Sequence, residues 1–247
     1  DTIGLPEQRF FHMRVIHHLL VLSALLATAV AAAAQPITAA GQPAQLDIRA
    51  AGEHSIRVTL KPIGFAGNFP FTPAVVERPY APPSLSLRAI TTAVKTKVGN
   101  LLVEVRPNPL TVIVTNTAGQ PVQELVFEQD GRLSFSLDDQ PVLGLGEGGP
   151  RPAPGSPWRS QPVQFDRRGQ LDTMEPRWQS DMYGSRNPVA MLLGTKGWGI
   201  FVATPWVQVD MRSDARGLFI PFQPIGGENV PQTQVNQQLS QGKGIHP

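Results

Sequence analysis

The chain has 247 residues, 41% of them apolar, with 25 prolines, 23 glycines and no cysteine. That is enough apolar residue for a real core and too much proline and glycine for a helical protein, and with no disulfide to staple a small fold the structure must rest on burial alone. Lys and Arg number 21 against 19 Asp and Glu, a formal net charge of +2, and the basic residues are scattered along the sequence, which argues against a nucleic acid partner.

Met13-Arg14-Val15-Ile16-His17-His18 precedes an apolar run from Leu19 to Ala34 that ends in Ala32-Ala33-Ala34 before Gln35. A basic start, an apolar middle and a small-residue end describe a secretory signal peptide over 13–34, shorter than the ~20 apolar residues of a membrane span. Residues 1–12 then read as translated upstream sequence. Export to the periplasm or medium of a bacterium is expected, with no membrane span left after cleavage, and residues 35–45, small and polar, read as a flexible lead-in.

Ser55 to Lys61 alternates apolar and polar residues and predicts a strand with one wet face. Six prolines between Pro62 and Pro83, with Phe65, Phe69, Phe71 and Tyr80 among them, predict a loop whose aromatics pack on the sheet behind it. Strands are predicted at 85–90, 93–98 and 101–106, the last two joined by the Gly99-Asn100 turn. Leu110 to Thr115, rich in β-branched residues, turns at 116–119 into Val122 to Phe127, and Arg132 to Leu137 alternates again. Strands at this spacing predict an all-β chain, an antiparallel β-sandwich.

The stretch Pro141-Val142-Leu143-Gly144-Leu145-Gly146-Glu147-Gly148-Gly149-Pro150 is an apolar run that breaks into glycines, suited to a sharp strand exit. From Gly148 to Asn187 no strand or helix is predicted, and a loop this long calls for a function. It holds Trp158, Phe165, Trp178 and Tyr183 among Asp166, Arg167, Arg168, Asp172, Arg177 and Asp181. Strands resume at 189–193, 197–203, 206–211 and 218–222, and from Pro224 the chain turns polar and glutamine-rich, as a linker does.

Val142-Leu143-Gly144-Leu145-Gly146-Glu147 at a strand end, then Phe165-Asp166-Arg167-Arg168-Gly169, then Pro188-Val189 and Gly197-Trp198-Gly199-Ile200-Phe201, resemble in order and spacing the N-terminal domain of glycoside hydrolase family 31, which includes α-glucosidases and α-xylosidases. The resemblance covers about residues 46–223. It implies a galactose mutarotase-like supersandwich that precedes a (β/α)8 barrel, with a loop of the sandwich helping to shape the substrate site. It implies too that both catalytic aspartates belong to the barrel, so no catalytic residue is assigned here, and residues 224–247 read as the linker towards it. Some members have Trp-Asn-Arg-Asp where this chain has Phe165-Asp166-Arg167-Arg168, so the loop carboxylate falls at a different offset.

Sugar binding needs flat aromatic faces for ring C–H groups and charged groups for hydroxyls. Trp178, Asp181 and Tyr183, with Asp166 and Arg167, are the candidate substrate-binding residues; the same residues could equally pin the loop to the sandwich. The expected partners are an α-glycoside and the chain's own downstream barrel, and no cofactor or metal is expected. A stand-alone carbohydrate-binding sandwich of the bacterial envelope is the alternative. An aldose epimerase would need a histidine acid, and after the leader the chain offers only His54 and His246. A dinucleotide loop at 144–149 is excluded because Pro150, Pro152, Pro154 and Pro157 follow where a helix must open.

Overall fold

The computed structural model describes residues 33–65, 79–146, 165–174, 189–203 and 207–221. By contacts the chain divides into Asp1–Ala33 and Ala34–Pro247, and the fold below belongs to the second unit. Its strands are β1 (Gln35–Pro36), β2 (Thr38–Ala39), β3 (Gln42–Gly52), β4 (Ser55–Pro62), β5 (Leu85–Leu87), β6 (Ala89–Ile90), β7 (Val94–Val98), β8 (Leu101–Arg106) and β9 (Leu110–Asn116). They continue with β10 (Pro121–Phe127), β11 (Leu133–Ser136), β12 (Val142–Gly144), β13 (Leu171–Met174), β14 (Met191–Gly194), β15 (Trp198–Phe201), β16 (Val207–Asp210) and β17 (Arg216–Pro221).

Eight of them form one antiparallel sheet in the order β13-β16-β17-β11-β10-β9-β8-β7. Its period-two alternation is clearest in β8, where Leu101, Val103 and Val105 are buried and Leu102 and Arg106 exposed. Cross-strand register carries the inward face across the sheet as Val105, Val112, Leu125, Phe135 and Gly217. At Gly217 a Cβ would stand 2.1 Å from the Phe135 ring, so the glycine makes room for an aromatic neighbour that a larger residue would displace.

Two smaller sheets cover this face. Strands β2, β3, β4 and β5 enclose a core of Ile37, Ala44, Leu46, Ile48, Ile90, Val98, Val103, Val105, Val112 and Val114. Strands β12, β14 and β15 enclose the second, with Phe135, Val142, Leu145, Leu192, Trp198, Val209, Met211 and Phe219. Val122 and Leu125 of β10 pack against both. The described residues thus form an all-β antiparallel sandwich, a broad sheet with two small ones on one side, together with a two-stranded pair of β1 and β6.

Gln123 is the polar exception on the inward face, 8% exposed. Its amide spans β10 and β11, donating from Nε2 to the Ser136 carbonyl (3.2 Å) while Oε1 accepts from the Ser136 (2.7 Å) and Glu124 (2.9 Å) N–H groups. It thereby satisfies ladder groups next to the register shift between Pro121 and Gln123.

Most predicted strands are present, and the differences have physical causes. Residues 35–45, expected as a flexible lead-in, hold β1, β2 and the start of β3, because Ile37 and Ala44 are buried at 4% and 0%. Within the span expected to lack strands lies β13, an edge strand paired with β16. Residues 13–32 of the predicted signal peptide, Phe69, Phe71 and the expected linker lie outside the described residues. Trp198 of β15 is core, 9% exposed beside Phe135.

Candidate functional site

The glycine-rich strand exit lies where β12 leaves the small sheet. Gly144 (φ 126°), Leu145 (φ 66°) and Gly146 (φ 91°) follow one another in positive-φ conformations. A Cβ at Gly144 would sit 2.1 Å from the Met191 carbonyl oxygen, so β12 approaches β14 more closely there than a side chain permits. Leu145 accepts a left-handed backbone because its side chain is 1% exposed in the core and its N–H donates to the Met191 carbonyl at 2.9 Å. The backbone costs on the order of 1–3 kcal/mol and leucine burial returns roughly 1.5–3 kcal/mol, so the two nearly cancel.

The segment Phe165-Asp166-Arg167-Arg168-Gly169 docks on this exit. The Asp166 carboxylate accepts the Val142 N–H at 3.0 Å, and the Arg167 N–H donates to the Val142 carbonyl at 2.7 Å. Arg167 is 4% exposed; its Nε donates to the Gly144 carbonyl at 3.0 Å and its guanidinium pairs with Asp172 at 3.5 Å. Gly169 N–H then donates to the Met211 carbonyl, and Met211 N–H to that of Gln170, at 2.7 and 2.8 Å. Residues 165–170 therefore tie β12 of the small sheet to the end of β16 in the large one, across the second core.

Asp166 also accepts from the Arg168 N–H at 3.1 Å and holds its guanidinium at 2.7 Å. Burial alone would raise the Asp166 carboxyl, but the hydrogen bonds from Arg168 and Val142 outweigh it and hold its pKa below the ordinary value. Asp172 goes the other way: burial raises its pKa, only partly opposed by Arg167, and one of its oxygens is buried without a hydrogen-bond partner. Arg168 also donates to the Asp138 carbonyl at 3.4 Å, and Lys196 reaches the neighbouring carboxylates of Asp139 at 2.8 Å and Asp138 at 3.8 Å.

Of the candidate substrate-binding residues, Asp166 and Arg167 come together here as a clamp on the strand exit, and Trp178, Asp181 and Tyr183 lie outside the described residues. Arg168 and Asp172 belong to the clamp as well. The paired arginines with acids on either side were the sequence signal for them, but which acid meets which arginine depends on the chain's path. Phe165, 56% exposed, leads into the clamp and offers an open aromatic face. Among the described residues no group of His, Cys, Asp and Glu is placed to hold a metal ion. A separate groove of about 750 Å³ lies beside the β8–β9 turn, lined by Gln35, Asn108, Phe127, Glu128 and Arg132 among others, and shares no residue with the clamp.

No family model matches the chain, and no curated protein matches it. Among solved structures it is similar to a glycoside hydrolase family 31 dextranase of Flavobacterium johnsoniae, a mutant complexed with isomaltotriose, with a TM-score of 0.54 and 13% identity over 72% of this chain and 22% of the dextranase. The glucose complex of that dextranase covers the same shares at a TM-score of 0.47. At such identity the likeness is one of fold, and the chain spans about a fifth of the enzyme it matches. The described sandwich therefore has the fold of one portion of a family 31 glycoside hydrolase.

Proposed function

We propose that this chain is the non-catalytic N-terminal β-sandwich of an exported α-glycoside hydrolase of family 31, whose catalytic aspartates stand on a barrel further along the polypeptide. One observation carries the reading: the fold over 72% of the chain is that of 22% of a family 31 dextranase. The likeness agrees in kind with the motif order over residues 46–223, although its 13% identity speaks for the fold alone.

In this reading the Asp166-Arg167-Arg168 clamp fixes where the long loop meets the sandwich, and the loop helps shape the substrate site. Trp178 and Tyr183 supply flat faces for sugar C–H groups and Asp181 a charged acceptor for hydroxyls. Asp166 and Arg167 act by positioning the loop, since their groups are already bonded to β12, Arg168 and Asp172. The full-length enzyme would hydrolyse α-glucosides or α-xylosides.

The test compares the chain alone with the product of the complete reading frame. The chain alone should release no aryl α-glucoside, aryl α-xyloside or dextran product, while the longer protein should hydrolyse at least one. Turnover by the isolated chain, or a downstream frame that encodes no barrel, overturns the proposal.

A further inference from the structure

The groove beside the β8–β9 turn has walls from three parts of the chain that are far apart in sequence. Residues 35–38 form the first, held by the pairing of Gln35 with Ile90 and by the Ile37 N–H, which donates to the Arg88 carbonyl at 2.9 Å. The turn 107–110 forms the second. There the Thr111 hydroxyl donates to the Pro109 carbonyl at 2.9 Å, and Asn108 takes a φ of 48°. The β10–β11 turn is the third, closed by the Glu128 N–H on the Arg132 carbonyl (2.9 Å) and the Gly131 N–H on the Glu128 carbonyl (3.1 Å). Hydrogen bonds thus hold each wall without help from a ligand, around a volume of about 750 Å³, within the roughly 300–1,000 Å³ of small-molecule sites.

The lining divides by chemistry. Ile37 and Ile90 are buried, and Leu110 and Phe127 pack half-buried against the first core. Around this apolar floor stand Gln35, Asn108, Glu128 and Gln129, whose side chains make no hydrogen bond or ion pair with the described residues. Arg132 is held in place by its Nε, 2.7 Å from Asp130, which also accepts the Arg132 N–H at 3.1 Å. Its two terminal nitrogens keep their donors for another acceptor.

We infer that this groove binds a short neutral oligosaccharide. The ring C–H groups of the sugar lie on Phe127 and the aliphatic floor. Its hydroxyls donate to the Glu128 carboxylate and the amide oxygens, and accept from the amide nitrogens and Arg132. Glu128, Asp130 and Arg132 are the charged residues in the lining, a balance of one negative charge that disfavours an acidic glycan or a nucleic acid. A proline-rich peptide requires a groove lined with aromatics, and Phe127 is the one aromatic residue here. The groove shares no residue with the Asp166 clamp or with the loop, so glycan binding here and the proposed hydrolase role stand or fall separately.

The test is calorimetric titration of the whole chain with isomaltotriose, maltotriose and trigalacturonate. At least one neutral trisaccharide should bind, and trigalacturonate should not. Affinity should fall about fivefold or more in Glu128→Ala/Gln129→Ala and also in Asn108→Gly, which suits the positive φ and removes the amide from the opposite wall. It should be unchanged in Lys95→Gln/Lys97→Gln on β7. No binding of either neutral trisaccharide, trigalacturonate binding as tight as theirs, or an equal loss in the β7 variant each overturns the inference. An affinity that survives both groove variants and falls in Trp178→Ala overturns it as well, placing the glycan at the loop and leaving the hydrolase reading intact.

Discussion

Two backbone N–H groups and one guanidinium converge on the Asp166 carboxylate, and an asparagine there keeps the shape but loses the charge and presents a donor to Arg168. Asp166→Asn should cost about 1–3 kcal/mol, read as a lower urea midpoint at neutral pH. The acid limb carries a second signature. Because the folded pKa of Asp166 is depressed, its contribution is complete above the unfolded value near ~3.9 and disappears as pH falls through the folded one. Wild-type stability should therefore fall more steeply below about pH 4 than that of the asparagine variant. Asp172 has the opposite sign: its raised carboxyl contributes most below its unfolded pKa and loses that contribution as pH rises through the folded one. The stability of the wild type relative to Asp172→Asn should thus decline as pH rises above the unfolded value of about 3.9 and through the raised folded one. Urea midpoints at stepped pH check both signs.

At the scale of elements, β12 depends on its glycine. Gly144→Ala places a methyl group on the Met191 carbonyl at a φ that a side chain resists, and with strain and overpacking together it should cost about 3 kcal/mol. Hydrogen exchange should locate the loss in β12 and β14, leaving β7 to β9 protected. The same scale explains what could be read beforehand. β8, β9 and β10 combine β-branched alternation with turn residues such as Gly99 and Gly119, both in positive-φ conformations, so local chemistry alone defines them. β3 begins in residues that look like a polar leader, and its pairing with β4 and β5 is what makes Leu46 and Ile48 core. β13 has four residues and, among the described residues, one ladder neighbour, β16, too short a pattern to stand out. In the candidate site, the strand exit and the Asp166 segment were visible as motifs, but not that one docks on the other. Arginine is ordinarily a surface residue, so nothing local announces that Arg167 is buried.

Across the whole molecule, the two cores are coupled through one sheet. Leu125 packs against both and stands in register with Val112 on one side and Phe135 on the other. Truncating it opens space on the border of each, and Leu125→Ala should cost about 2 kcal/mol, the low end for a leucine that is only partly buried. Both halves should still melt in a single transition in calorimetry, since neither can lose the shared sheet alone; two resolved transitions would contradict the coupling.

Order along the chain adds a temporal meaning to that border. Among the described residues, every buried member of the first core lies between Ile37 and Val114, and every one of the second between Phe135 and Phe219. A polypeptide made from its N-terminus completes the first core before any strand of the second exists. β10 is then the open rim of a finished half, and the hydrogen bonds it offers to β11 begin the assembly of everything downstream.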